Sequence, residues 1–114
     1  MKRNLEKAMV ERFLRYIKTE KRYSNLTVSA YKRDLEQFGS YLINIYEIHD
    51  ITEATTQMVR SYIVSLKEKG EENRSINRKM SALRSFYKFC LREETIEISP
   101  MQGIKSLKQP APST

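Results

Sequence analysis

The chain has no tryptophan, one cysteine and one histidine, and only three glycines and three prolines among 114 residues. Each scarcity excludes something. One cysteine, Cys90, rules out an internal disulfide framework and a cysteine-based metal site, and fits a reducing compartment. One histidine, His49, removes most histidine-based metal centres and acid–base schemes. So few glycines and prolines do not suit a disordered or low-complexity chain. No apolar run approaches the roughly 20 residues of a membrane span. The start, Met1-Lys2-Arg3, is charged and lacks the apolar stretch of a signal peptide. A cytoplasmic protein without membrane contact is expected. No Gly-rich phosphate loop, paired-carboxylate motif or metal-ligand spacing is readable. No cofactor, metal or small-molecule ligand is expected either.

What is present suits one small domain. Hydrophobic residues make up 39% and charged residues 31%. Lys plus Arg number 21 against 14 for Asp plus Glu, a net charge of +7. A basic surface of this size favours nucleic acid or an anionic membrane, and charge alone does not choose between them.

Helical periodicity runs through the chain. From about Asn4 to Lys21, Leu5, Met9, Phe13, Tyr16 and Ile17 recur at spacings of three and four. Tyr23-Ser24-Asn25 interrupts the pattern and offers caps for a second helix reaching about Tyr46, with Val28, Tyr31, Leu35, Phe38 and Leu42 as its apolar stripe. The stretch from Glu47 to Thr55 reads as a connection, with Thr52, Thr55 and Thr56 as candidate caps. A shorter third helix carries Met58, Val59, Tyr62, Ile63 and Leu66, and Gly70 is a natural stop. A fourth helix begins near Asn73 or Ser75 and runs to about Glu93. Ser99-Pro100 then resembles a cap followed by proline at the first helical position, opening a short fifth helix through Ile104. Lys105 to Thr114 reads as a linker or tail. No segment alternates as a strand would. The predicted class is all-α, four main helices and a short fifth.

The fourth helix carries the functional signal. Six cations, Arg74, Arg78, Lys79, Arg84, Lys88 and Arg92, fall in twenty positions that contain no acid. At about 100° per residue, Arg74, Asn77, Arg78, Ser81, Arg84, Ser85, Lys88 and Arg92 share one arc of about 120°. Ile76, Met80, Leu83, Tyr87, Cys90 and Leu91 lie opposite, widened by Ala82, Phe86 and Phe89. Ordinary solvated faces mix charge signs; this one does not. Arginine and lysine neutralise phosphates, and an α-helix fits the major groove, where Arg and Asn can bond base edges. Asn77 and Ser81 are the candidates for base contacts. The second helix repeats the theme more weakly with Lys32 and Arg33. Its Tyr31 belongs to the apolar stripe, and Thr27, on the flank, suits either a cap or a phosphate contact. The seven tyrosines lack the partners that a nucleophile needs, and most occupy apolar stripes.

Three stretches together resemble one family. "SNLTVSAYKRDLEQFGSYL", Ser24 to Leu42, is similar to the second helix of the N-terminal, core-binding domain of tyrosine recombinases, the phage integrase and Xer-type enzymes. It fills their pattern with Ser24, Thr27, Tyr31, Asp34, Leu35 and Phe38. "DITEATTQMVRSYIVSLKEKG" fits the following helix. "RSINRKMSALRSFYKFCLREETIEISPMQGIK", Arg74 to Lys105, resembles the fourth helix and the turn beyond it, with Ser99 where Asn is usual before Pro100. The resemblance implies a SAM-like bundle over residues 1–108 that holds double-stranded DNA through its second and fourth helices. By position it points to Thr27, Lys32, Arg33, Arg74, Ser75, Asn77, Arg78, Ser81 and Arg84, to which the wheel adds Lys88. It also implies that the catalytic residues lie in a separate domain, so that none is assigned here. Residues 109–114 would begin the interdomain linker, and the parent recombinase would act as a tetramer on DNA. The alternatives from the residues alone are a helix-turn-helix regulator built from helices three and four, a helical protein-interaction module, and an RNA-binding helical domain.

Overall fold

The computed structural model describes residues 2–108, with side chains from residue 9 onward. Four α-helices follow one another: α1 (Lys2–Thr19), α2 (Asn25–Tyr46), α3 (Thr56–Glu68) and α4 (Asn73–Arg92). No strand occurs among the described residues. One difference from the periodicity lies between α2 and α3, where Ile51–Glu53 forms a single 3-10 turn. Its cap is Asp50, whose Oδ1 accepts from both the N–H and the hydroxyl of Thr52 at 2.9 and 2.6 Å. Thr52, an expected cap, is therefore the capped residue.

The helix ends follow local chemistry. Ser24 caps α2 by accepting from the Thr27 N–H at 3.1 Å, and Thr55 caps α3 by accepting from Met58 at 3.3 Å. Gly70, at φ +88°, stops α3. Its N–H donates to Lys67 O and that of Glu71 donates to Leu66 O, the paired bonds of a left-handed helix stop. The end of α4 is built alike, with Glu94 at φ 59° and the Thr95 N–H donating to Cys90 O at 2.9 Å.

The helices close because α4 presents apolar residues to all three neighbours. Ile76, Met80, Leu83, Phe86, Tyr87 and Cys90 are buried, as the wheel requires; Leu91 is the departure, more than a third exposed. Phe13 of α1 meets the Phe86 ring edge-on at 5.5 Å and the Phe89 ring at 5.7 Å. Phe38 of α2 packs at 5.0 Å from Tyr62 of α3. Burying one such side chain contributes about 1.5–3 kcal/mol. The Tyr87 hydroxyl donates to Ile51 O at 2.6 Å and so ties the 3-10 turn to the core.

The short fifth helix does not form. Ser99 does act as a cap, accepting from the Met101 N–H at 3.1 Å, but Gly103 turns left-handed at φ +82° after two reverse turns. The apolar side chains of Met101 and Ile104 are buried there, and the backbone continues extended. That extended segment runs back along α4, with its carbonyls met by Arg84 at Ile104, Asn77 at Leu107 and Asn73 at Lys108. Residues 109–114, the expected linker, lie outside the described residues.

Candidate nucleic-acid interface

The polar arc of α4 is open to solvent between two boundaries. One edge carries Arg84 and Asn77, which hold the returning 104–108 segment. Asn77 does so twice, accepting from the Leu107 N–H at 2.7 Å and donating to its carbonyl at 2.9 Å. The other edge carries Ser85 and Arg78, which face α2. Arg78 Nη2 stands 3.8 Å from Asp34 Oδ1. Between these edges, by the helical repeat, lies a crest of Arg74, Ser81, Lys88 and Arg92. The side chains of Arg74 and Lys88 are exposed and have no hydrogen bond or ion pair among the described residues. They are separated by about 21 Å along the helix, at about 1.5 Å per residue. Arg92 is ordered differently: its guanidinium lies 4.4 Å over the Tyr16 ring and donates to the Tyr16 hydroxyl at 3.1 Å.

Asp34 shapes the electrostatics of the α2 edge. It is buried, and its Oδ1 has no hydrogen-bond partner. Burial raises its pKa above the ordinary carboxylate value, opposed by the charges of Arg78, Lys79 and Arg33. Lys79 is buried as well and spends its charge on Glu71, donating to both carboxylate oxygens at 2.7 and 2.9 Å. Of the six α4 cations, Lys79 therefore belongs to the interior and Arg78 is partly neutralised.

The expected site residues divide accordingly. Arg74, Ser81 and Lys88 stand together on the crest, with Arg78 and Arg84 on its edges. Asn77 lies on the same arc, but its carboxamide is taken up by Leu107. Ser75 is half-buried and about 100° round the helix from Arg74, off the crest. Thr27 shares its hydroxyl with Ser24 at 3.0 Å, in the first turn of α2. Arg33 is exposed and within electrostatic reach of Asp34. Lys32 is exposed too, but it lines a groove between α1 and α2 with Glu11, Leu14 and Glu36, away from the α4 crest. Tyr31 packs on Phe13 and Tyr23, at 6.1 and 5.8 Å between ring centres, in keeping with its place in the apolar stripe.

Sequence reasoning missed what joins the crest at its far end. The α1–α2 turn brings Lys21 and Tyr23 beside Ser85, Lys88 and Arg92. No periodicity marks a turn residue, so no wheel pairs it with α4.

These features define an all-α bundle whose last helix turns a cationic, acid-free crest to solvent. The chain belongs to the phage integrase N-terminal SAM-like domain family, whose model matches residues 10–94. It is similar to the tyrosine recombinase XerC of Bacillus subtilis, 40% identical over 103 residues, which is 90% of this chain and 34% of that protein. It is also similar to XerC of Bacillus pumilus, 40% identical over 101 residues, covering 89% of this chain and 33% of the relative. The tyrosine recombinase XerD of Halalkalibacterium halodurans is 35% identical over 91 residues, 80% of this chain and 30% of that protein. The chain thus spans about a third of the length of the curated relatives it matches. No solved structure matches it.

Proposed function

We propose that residues 1–108 are the DNA-gripping domain of a cytoplasmic tyrosine recombinase, and that the α4 crest lies against duplex DNA with the first turns of α2 beside it. The observation that carries this reading is the crest itself: Arg74 and Lys88 stand exposed and unpaired among the described residues, on a helix face without an acid. Cations left unpaired on one face suit a polyanion, whose condensed counterions they displace. The names of the relatives supply the enzyme context. Cutting and rejoining of strands would be carried out by a separate catalytic domain, reached through a linker beginning near residue 109. Assembly of four such subunits on the recombination site belongs to the same reading.

Within this interface Arg74, Lys88 and Arg84 serve the phosphates, and Ser81 is the short polar side chain free to meet a base edge. Asn77 reaches DNA only when the 104–108 segment lifts from it. Against the helix-turn-helix alternative stands the first turn of α4, the part that a recognition helix offers to bases. There Asn73 accepts from Lys67 Nζ at 3.1 Å and donates to the Lys108 carbonyl at 2.8 Å.

The test is binding of a short random-sequence duplex across a salt series, for the chain and for Arg74→Gln and Lys88→Gln. Non-specific affinity in the range of about 10⁻⁴–10⁻⁶ M at physiological salt is expected. Each substitution should lower the slope of log affinity against log salt by about 0.9, one phosphate contact. Variants that bind as the parent does, with the same slope, would remove the crest from the interface.

A further inference from the structure

The start of α2 ties down its polar side chains and leaves an apolar one to solvent. Ser24 accepts from the Thr27 N–H at 3.1 Å and shares a hydrogen bond with the Thr27 hydroxyl at 3.0 Å. Asn25 Oδ1 accepts from Lys18 Nζ at 2.6 Å. Leu26, between them, is 84% exposed, the most exposed large apolar residue among those described. It lies off the stripe that α2 buries, which holds Leu35, Phe38 and Leu42. At about 100° per residue, Leu26, Ala30 and Arg33 share an arc of about 60°. That arc adjoins Asp34, whose carboxylate faces Arg78 of α4. It lies across the helix from Leu35 and Gly39, which line the groove towards α1. The arc therefore borders the α4 crest, and just beyond it Tyr31 is hydrogen-bonded to Ser85, joining the two helices.

We propose that Leu26 is a specificity-determining residue that reads thymine, its side chain lying against the 5-methyl group in the major groove. The inference rests on the DNA reading and deepens it, from charge that grips any sequence to a contact that selects one base. A single exposed leucine is ordinary on a protein surface; three features set this one apart. Its arc carries a second apolar side chain, the small Ala30, and a cation, Arg33, beside a helix already offered to DNA. It stands in the first turn of a helix, the part from which side chains reach base edges. That turn is held by its own cap and by Lys18, so little freedom is lost when Leu26 meets a partner. The thymine methyl is the apolar group that base edges show in the major groove, and apolar side chains read it by contact. Such a contact takes both groups out of water. Cytosine offers an amino donor in place of the carbonyl of thymine and carries no methyl, so the same side chain gains nothing there.

The test compares two duplexes that differ only in the methyl group: alternating adenine and thymine, and the same with uracil for thymine. Binding of both is measured across a salt series for the unsubstituted chain, Leu26→Ala, Leu26→Met and Arg74→Gln. The unsubstituted chain should bind the thymine duplex about fourfold more tightly, the worth of one methyl removed from a contact. Leu26→Ala should bind both duplexes alike, with an unchanged salt slope because no charge is lost. Leu26→Met, which keeps an apolar reach, should retain the preference. Arg74→Gln should also retain it while lowering the slope by about 0.9. An unsubstituted chain blind to the methyl, a preference that survives in Leu26→Ala, or a loss in Leu26→Ala that is equal for both duplexes overturns the thymine assignment. The DNA reading then stands if Arg74→Gln still lowers the slope. If neither duplex binds the unsubstituted chain, both readings fail.

Discussion

The carboxamide of Asn77 and the backbone of Leu107 bond each other in both directions. Leu107 donates to Oδ1 at 2.7 Å, and Nδ2 donates to the Leu107 carbonyl at 2.9 Å. One side chain thereby satisfies a backbone donor and acceptor at once and fixes the path by which the chain leaves α4. This gives Asn77 a holding task on the face where it was expected to contact bases. Replacing it by alanine should release the segment: hydrogen exchange at the Leu107 amide should quicken strongly while core amides of α4 keep their protection. Affinity for random duplex should change by less than about twofold, well under 1 kcal/mol. A loss of tenfold or more with Leu107 still protected would return Asn77 to the DNA contacts.

Asp34 should make stability fall as pH rises. Its folded pKa is raised above the ordinary 3.8, chiefly by burial, so the folded state binds the proton more tightly than the unfolded chain. The corresponding stability is fully present below the ordinary value and is lost as pH rises through the folded one. Asp34→Asn, neutral throughout, should flatten the urea-unfolding stability between pH 4 and 7 relative to the parent. Parallel pH profiles for the two proteins would show that Asp34 is not the group responsible.

Cys90 should be chemically silent while the chain is folded. It is buried, and burial pushes its thiol pKa up to about 12. At pH 8 about one thiol in ten thousand is then thiolate, before access is considered. Ellman's reagent should react at once in 6 M guanidinium and only at the rate of opening in buffer. Native reactivity matching that of a small free thiol would contradict the burial.

Two helix ends of the same design offer opposite substitutions. Gly70 has φ +88° and open space where a Cβ would stand, so Gly70→Ala meets no clash and suffers only the left-handed backbone cost. That cost, about 1–2 kcal/mol, is partly offset by about 0.4–1 kcal/mol from the stiffer unfolded chain. A net destabilisation of roughly 1 kcal/mol follows. Glu94, at φ 59°, already carries the strain that glycine avoids, so Glu94→Gly should be neutral or stabilising. Denaturant midpoints of the two variants check both signs.

Much was legible from the chain alone because it depends on neighbours in sequence. Periodicities of three and four located all four helices, since each buries one stripe. Ser24, Thr55 and Gly70 marked ends through short-range hydrogen bonds or a backbone angle. The acid-free arc of α4 was likewise readable, because a helical wheel needs no tertiary information. The expected fifth helix does not form because a cap and a proline license a helix without compelling one, and Gly103 ends the turn before it propagates.

Tertiary structure decided the rest. All six α4 cations look alike in sequence, yet packing buries Lys79 on Glu71, sets Arg78 beside Asp34, lays Arg92 over Tyr16 and leaves Arg74 and Lys88 unpaired among the described residues. It drew Asn77 to a partner thirty residues away, and gathered Lys21 and Tyr23 to the end of α4. Composition and local pattern determine which side chains a helix carries and on which face. Which of them remain free for a partner depends on what the chain brings against that face from a distance, and no local periodicity encodes that.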